Sequence, residues 1–189
     1  MTRARDNADH YAGLGASNPT VTLGSNATFP TGHIVQVKHF VNTYYRAYSY
    51  AADPLSHYEL ISGSDASGVD WEVDITPSDN SHKILMMVNL SMFAYANGQA
   101  ESRSNINTYE KIGSGGYSEI ESMNEILGVW DYNGSNMWAS RYISFNLYRN
   151  PTTLLSCKYK FAQEITSSGV NGGHNNGAYS YVTLMEVVA

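Results

Sequence analysis

The sequence predicts an all-β protein, a sandwich or a barrel, and three observations carry that prediction. Apolar residues recur at period two in several segments of strand length. Clusters of Gly, Ser, Asn, Asp and Pro separate those segments as turns would. Helical spacing inside the domain is confined to residues 119–127, so the helices that a parallel βαβ sheet needs for its crossovers are missing. No repeat of fixed period points to a propeller or a solenoid.

The pattern is clearest at residues 73–92. A short strand ends at Ile75, a polar turn runs through Thr76, Pro77, Ser78, Asp79, Asn80 and Ser81, and a long strand follows. There Ile84, Met86, Val88, Leu90 and Met92 share one face, while Lys83, Leu85, Met87, Asn89 and Ser91 share the other. Apolar residues on both faces predict a central strand covered on each side.

Taken in order, residues 1–12 are polar, with Ala4, Ala8 and Ala12 at spacing four, compatible with a short helix or an extended segment. Residues 13–30 are rich in Gly, Ser, Asn and Thr and read as an arm that gains order by lying on something else, or as a frayed terminus. The predicted organisation is an arm over residues 1–28 and a β-domain over residues 29–189. Residues 33–41 form a strand with Val35, Val37 and Val41 on one face and Gln36 and Lys38 on the other. A Tyr-rich stretch, a short strand at 57–61 and a turn at 62–68 follow. Trp71, Val73 and Ile75 then alternate with Glu72 and Asp74.

Residues 107–112 read as a strand stopped at Gly113-Ser114-Gly115-Gly116. Residues 119–127 are the one helix candidate, with Ile120, Met123 and Leu127 three and four apart, Ser118 before them and Gly128 after. Ile143, Phe145 and Leu147 define one face of a strand at 141–149. Leu155, Cys157, Tyr159 and Phe161 define one face of another. Residues 169–177, G-V-N-G-G-H-N-N-G, predict a loop, and residues 179–188 a final strand that locks this end into a sheet.

Composition narrows the function. Hydrophobic residues make up 42%, enough for a sizeable core, whereas charged residues make up only 15% against roughly 25% in average soluble domains. A surface solvated by neutral hydrogen-bonding groups suits virion proteins, adhesins and other extracellular β-proteins. Net charge is −6 with no basic stripe, which argues against nucleic-acid binding. Cys157 stands alone, which excludes a disulfide framework and a Cys-based zinc site. Residues 1–7 contain no apolar segment of signal-peptide type, and the apolar runs fall far short of a membrane span. Synthesis in the cytoplasm, without membrane insertion, is the expectation.

Four pieces of the chain resemble a domain of bacteriophage tail fibres and virion-surface proteins, marine and cyanophage types especially. They are Phe29-Pro30-Thr31-Gly32-His33-Ile34-Val35-Gln36-Val37; Ile75-Thr76-Pro77-Ser78 with Ser81-His82-Lys83-Ile84-Leu85; Tyr148-Arg149-Asn150; and Thr183-Leu184-Met185-Glu186-Val187. Lys158-Tyr159-Lys160-Phe161 falls where the family has a penultimate strand with a Tyr. The resemblance covers residues 29–189 and implies an antiparallel β-sandwich, jelly-roll-like, in a homotrimeric virion component located in the particle. It implies no catalytic residue and no cofactor. The arm, residues 1–28, is similar to segments that anchor fibre domains to other virion proteins of capsid or tail.

Candidate sites are few. His57 and Glu59 could share a strand face, yet the spacing rules for metal sites favour surface polar residues, so no metal is predicted. Asp70, Glu72 and Asp74 read as a solvated strand face in preference to a glycosidase pair. The sharpest candidates are aromatics. Trp130, Tyr132 and Trp138 sit among Asp131, Asn133, Ser135 and Asn136, where rings could stack on the C–H faces of a host surface glycan while amides and the carboxylate bond its hydroxyls. The same rings could instead complete a core or a trimer interface. Tyr45 and Tyr48, in the run 44–50, carry the same two readings, and Tyr is also simply a good β-former. The sequence thus predicts a non-enzymatic virion protein of tail-fibre, capsid-fibre or decoration type, with a receptor- or glycan-binding adhesion module as the alternative and a hydrolytic fibre tip as a third reading.

Overall fold

Two sheets form because the period-two segments each offer one apolar face, and each face is buried against the other. The computed structural model describes residues 30–49, 57–60, 71–96, 101–130, 137–165, 170–174 and 178–189. The chain divides into two compact units, Met1–Pro30 and Thr31–Ala189, and every described strand belongs to the second. In chain order the strands are β1 (Ile34–Asn42), β2 (Arg46–Ser49), β3 (His57–Leu60), β4 (Val73–Ile75), β5 (Lys83–Ala96), β6 (Glu101–Ile112), β7 (Ser118–Trp130), β8 (Met137–Arg149), β9 (Cys157–Ile165), β10 (Val170–His174) and β11 (Ser180–Val187). No helix occurs among the described residues.

All pairings are antiparallel. β11 and β10 follow one another along the same edge of β5, against Lys83–Asn89 and Met92–Ala96. β1 and β2 follow one another along β11 and β10 in turn. β3 and β4 do the same along β9. These three collinear pairs act as single interrupted strands, which leaves two sheets of four. One runs β1/β2, β10/β11, β5, β8; the other runs β3/β4, β9, β6, β7. Numbered as eight strands in chain order, the sheets read 1-8-3-6 and 2-7-4-5, the double Greek-key order of a jelly roll. The antiparallel jelly-roll sandwich expected for the domain is therefore what the strand pairing builds.

The core lies between the sheets. Ile84, Met86, Val88, Leu90 and Met92 of β5 are at most 1% exposed, and they meet Val73, Ile75, Ile106, Tyr159 and Phe161 of the opposite sheet. Phe161 touches both Trp71, at 6.0 Å between ring centroids, and Phe145 edge-on at 6.5 Å, so one ring ties together both sheets. β5 is central, as its two apolar faces predict.

Three expectations are corrected. Residues 119–127 are not helical but lie in the edge strand β7. Glu119 pairs with Tyr109 and Glu121 with Thr108, so Ile120 is the extra residue of a β-bulge. The bulge shifts the side-chain parity, letting Ile120 and Met123 both turn to the core at a spacing of three that mimics a helix. Residues 170–174 are not loop: β10, glycines included, is hydrogen-bonded between β2 and β5 on both edges, and the neighbours supply the order that Gly172 and Gly173 lack. Leu155 does not share the buried face of Cys157, Tyr159 and Phe161; it lies 57% exposed in the β8–β9 connection.

β1 shows one further reversal. Its valines, Val35, Val37 and Val41, face solvent, while Gln36, Lys38, Phe40 and Asn42 turn inward. Phe40 joins the core, and Lys38 reaches Asp74 of β4 at 3.0 Å, bridging the open edges of the two sheets.

Leu90→Ala should lower the unfolding free energy by roughly 2–5 kcal/mol, because a fully buried leucine leaves a cavity. Leu154→Ala, at a position 58% exposed, should stay within about 0.5 kcal/mol. Urea midpoints of the two variants check this; equal losses would mean that the core is elsewhere.

Candidate functional site

Strand register sorts the connections to two ends of the sandwich. Ile34, Val187, Lys83 and Arg149 meet at one end of the first sheet, and Ile75, Cys157 and Ile112 at the same end of the second. The connections 76–82, 113–117 and 150–156 collect there. Residues 50–56, 97–100, 131–136 and 166–169 lie outside the described residues.

The described end is clamped by buried polar groups. Glu186 of β11 falls on the inward face with Val182 and Leu184 and is 0% exposed. Its Oε1 accepts from the Ser78 backbone N–H at 2.6 Å and from Ser78 Oγ at 2.6 Å, and meets His82 Nδ1 at 2.7 Å. Glu186 thereby pins both ends of the 76–82 turn onto the last strand. Burial alone would raise its pKa, but the hydrogen bonds from Ser78 and His82 hold it below the usual carboxylate value.

Serine, histidine and carboxylate in one cluster invite comparison with a hydrolytic triad, and the geometry does not fit one. A triad places the carboxylate on one ring nitrogen and the hydroxyl on the other. Here Ser78 Oγ lies 3.5 Å from the same Nδ1 that meets Glu186, and it donates to Glu186 itself. The arrangement clamps a turn instead of activating a nucleophile.

A second clamp crosses between the sheets. Arg149 of β8 donates Nη2–H to Glu110 Oε2 at 2.6 Å and Nε–H to Oε1 at 3.4 Å, a two-pronged pair with Glu110 buried on β6. The hydrogen bond to Glu110 raises the Arg149 pKa further. Cys157, beside this pair, has its thiol pushed up to about 11 by burial, which keeps it protonated and unreactive. At the two margins of the domain, Gly32 N–H donates to the Val188 carbonyl at 2.8 Å and Val188 N–H to that of His33 at 2.9 Å, extending the β1–β11 ladder.

The carboxylates of residues 72 and 74 are separately engaged. Glu72 accepts from Lys158 Nζ at 2.6 Å and from the Tyr117 hydroxyl, and Asp74 pairs with Lys38. Asp70 lies outside the described residues. Lys160 sits 4.6 Å above the Tyr117 ring. Among the described residues no three His, Cys, Asp or Glu side chains gather as a metal site would require.

Of the predicted aromatics, Trp130, Trp138 and Tyr48 lie on strands toward the other end. Trp130 closes β7 opposite Glu101, and Trp138 near the start of β8 lies opposite Tyr95. Tyr48 lies opposite Gly172, whose partner on the other edge is Ala94. Tyr48 and Trp138 thus stand one register apart in one sheet, and adjacent registers belong to opposite faces. Tyr45 is 49% exposed and stacks on Phe93 at 5.9 Å, so one face of its ring is committed to packing. Tyr132 lies outside the described residues.

The outward face of the first sheet mixes apolar and polar side chains. Three rows cross it: Val37, Met185, Leu85, Tyr148; His39, Thr183, Met87, Asn146; and Val41, Tyr181, Asn89, Ser144. No carboxylate occupies these rows. Sequence reasoning missed the clamps, and of this face it read the β5 residues Leu85 and Met87 but not their neighbours on β1, β11 and β8. A signal existed for the clamps, since Glu186 and Glu110 sit at core parity with Leu184 and Ile106, where an unpaired charge would be prohibitive.

No family model and no curated protein matches the chain. Among solved structures it is similar to the crystal structure of the infectious bursal disease virus VP2 subviral particle (TM-score 0.34, 16% identity, 93% of this chain and 43% of that one). It is also similar to the Gt strain of the same virus (TM-score 0.29, 12% identity, 93% and 44%). The T13 viral particle of that virus gives a TM-score of 0.33 and 10% identity, over 93% and 41%. The chain spans less than half the length of each. The jelly-roll assignment follows from the strand pairing itself.

Because the Glu186 pKa is lower folded than unfolded, its contribution is present above the unfolded value near 4.5 and is lost as pH falls below it. Melting temperatures from pH 7 to 3 should fall more steeply below that value for the wild type than for Glu186→Gln. Parallel curves would remove Glu186 from the clamp.

Proposed function

We propose that this chain is a non-enzymatic structural component of a virus particle, of phage tail-fibre, capsid-fibre or capsid-decoration type. In this reading residues 29–189 form the β-domain, three copies assemble as a homotrimer, and residues 1–28 dock it to capsid or tail proteins. One observation carries the reading. The segments that resemble phage virion-surface domains, scattered from residue 29 to residue 187, come together at one end of the jelly roll. Gly32 and His33 pair with Val188, which directly follows the last segment; Ser78 and His82 close on Glu186; Arg149 closes on Glu110. A shared set of closures explains why short, widely spaced pieces of sequence resemble one family while the intervening stretches do not. A low-charge, hydroxyl- and amide-rich surface supports the same reading.

Assembly is the mechanism. A polar arm acquires order on a neighbour while the clamped domain stays rigid, so binding carries the ordering cost of the arm alone. Deleting residues 1–28 should leave a folded trimer that no longer enters particles. Normal incorporation of the truncated chain would sink the docking role.

A second reading, an adhesion module for a host surface glycan, is favoured by the register that brings Trp138 and Tyr48 to the end where residues 131–136 connect β7 and β8. It assigns contact to Trp130, Tyr132, Trp138, Tyr45 and Tyr48. Replacing Trp130 and Trp138 by Ala should then abolish attachment to host cells and leave the oligomer intact; loss of the oligomer instead would assign the indoles to packing.

A further inference from the structure

A sheet edge with open N–H and C=O groups is a template for another chain unless something guards it. Here Lys38 and Asp74, 3.0 Å apart, tie the β1 edge of the first sheet to the β4 edge of the second. β7, the far edge of the second sheet, is guarded by two register shifts and by the exposed Glu119 and Glu121. β8, the far edge of the first sheet, has no such guard. It pairs with β5 over 13 residues without a register shift, and among the described residues it pairs with nothing else. From Tyr142 to Tyr148 it holds no charge, proline or glycine.

The residues along that edge are also mirrored. Outward from Phe145, Ser144 matches Asn146, Ile143 matches Leu147, Tyr142 matches Tyr148 and Arg141 matches Arg149. Alternation alone makes the apolar and polar positions of any strand symmetric. It does not require tyrosine to mirror tyrosine or arginine to mirror arginine.

We infer that β8 pairs antiparallel with β8 of a second copy about a two-fold axis at Phe145, joining their first sheets into one. A two-fold contact needs a self-complementary surface, and a mirrored edge strand is one. Tyr142 of each copy then lies opposite Tyr148 of the other, an aromatic cross-strand pair of the kind that stabilises sheets. Ser144 lies opposite Asn146 on the same face, and Ile143 opposite Leu147 on the other. Charge permits the approach, because Arg141 meets an Arg149 whose charge Glu110 already balances at 2.6 Å. The inference does not use the homotrimer reading; within it, the contact joins copies of neighbouring trimers.

The test uses the full chain carrying Tyr142→Cys and Tyr148→Cys, both at positions more than half exposed. Within one copy they lie six residues apart along a strand, roughly 20 Å, too far for a disulfide. Across the two-fold axis they are directly opposite. Oxidation should yield a covalent dimer and nothing larger on a denaturing gel, and neither single variant should link. In the otherwise native chain, Ser144→Lys with Asn146→Lys sets lysine opposite lysine. That pair of changes should weaken the two-fold association roughly tenfold in sedimentation velocity. A double cysteine variant that stays unlinked, or that gives a ladder of larger species, would overturn the pairing. So would an association that the two lysines leave unchanged. The virion role is tested separately, by incorporation into particles.

Discussion

The fold depends on one strand being buried from both edges and from its inner face. β5 pairs along its whole length, with β11 and β10 on one edge and β8 on the other, and its alternate residues from Ile84 to Met92 fill the space between the sheets. A one-residue slip of β5 would turn five buried side chains outward and bring Lys83 and Asn89 into the core, so its register is tightly specified. The other strands then have few choices. The Tyr159 and Phe161 face of β9 must meet that inner face, and β4 and β6 extend the second sheet around it.

Polar closures finish what apolar burial begins. A two-sheet sandwich is open along its sides and at its ends, and here three carboxylates close it. Glu186 holds the turn that feeds β5, Glu110 holds β8 against the opposite sheet, and Asp74 holds β1. The first two are buried and multiply hydrogen-bonded, the condition under which a buried charge is tolerated. The Lys38–Asp74 pair is more exposed and so contributes less. The first two closures gather at the end of the sandwich where residues 76–82 and 150–156 connect its strands.

Much of this was legible in the sequence, and the failures share a cause. The alternation in residues 71–75, 84–92, 143–147 and 157–161 reports local burial directly, and those strands stand where it puts them. Residues 119–127 misled because a bulge changes parity without leaving a mark in composition. Residues 170–174 misled because their order comes from both neighbouring strands and from nothing in their own side chains. The direction of β1 was hidden because period two separates two faces without saying which is inside. Charges at core parity, Glu110 and Glu186, were the readable sign of the clamps. Of the aromatic candidates, Tyr45 is half-exposed and stacked on Phe93, and register alone relates Tyr48 to Trp138.

The jelly roll thus presents a clamped end and an outward sheet face on which Val37, Val41, Met87 and Tyr148 are exposed beside Lys83. The proposed assembly role requires such a face to be covered, because apolar surface is stabilised by removal from water. Methionine oxidation tests that directly. Met86 and Met92 are buried in the single chain, whereas Met87 is 39% exposed. Brief peroxide treatment of the purified full-length protein, read by peptide mass spectrometry, should leave Met87 and Met185 as slow to oxidise as Met86 and Met92. Met87 oxidising at the rate of a free methionine, with Met86 protected, would contradict the account.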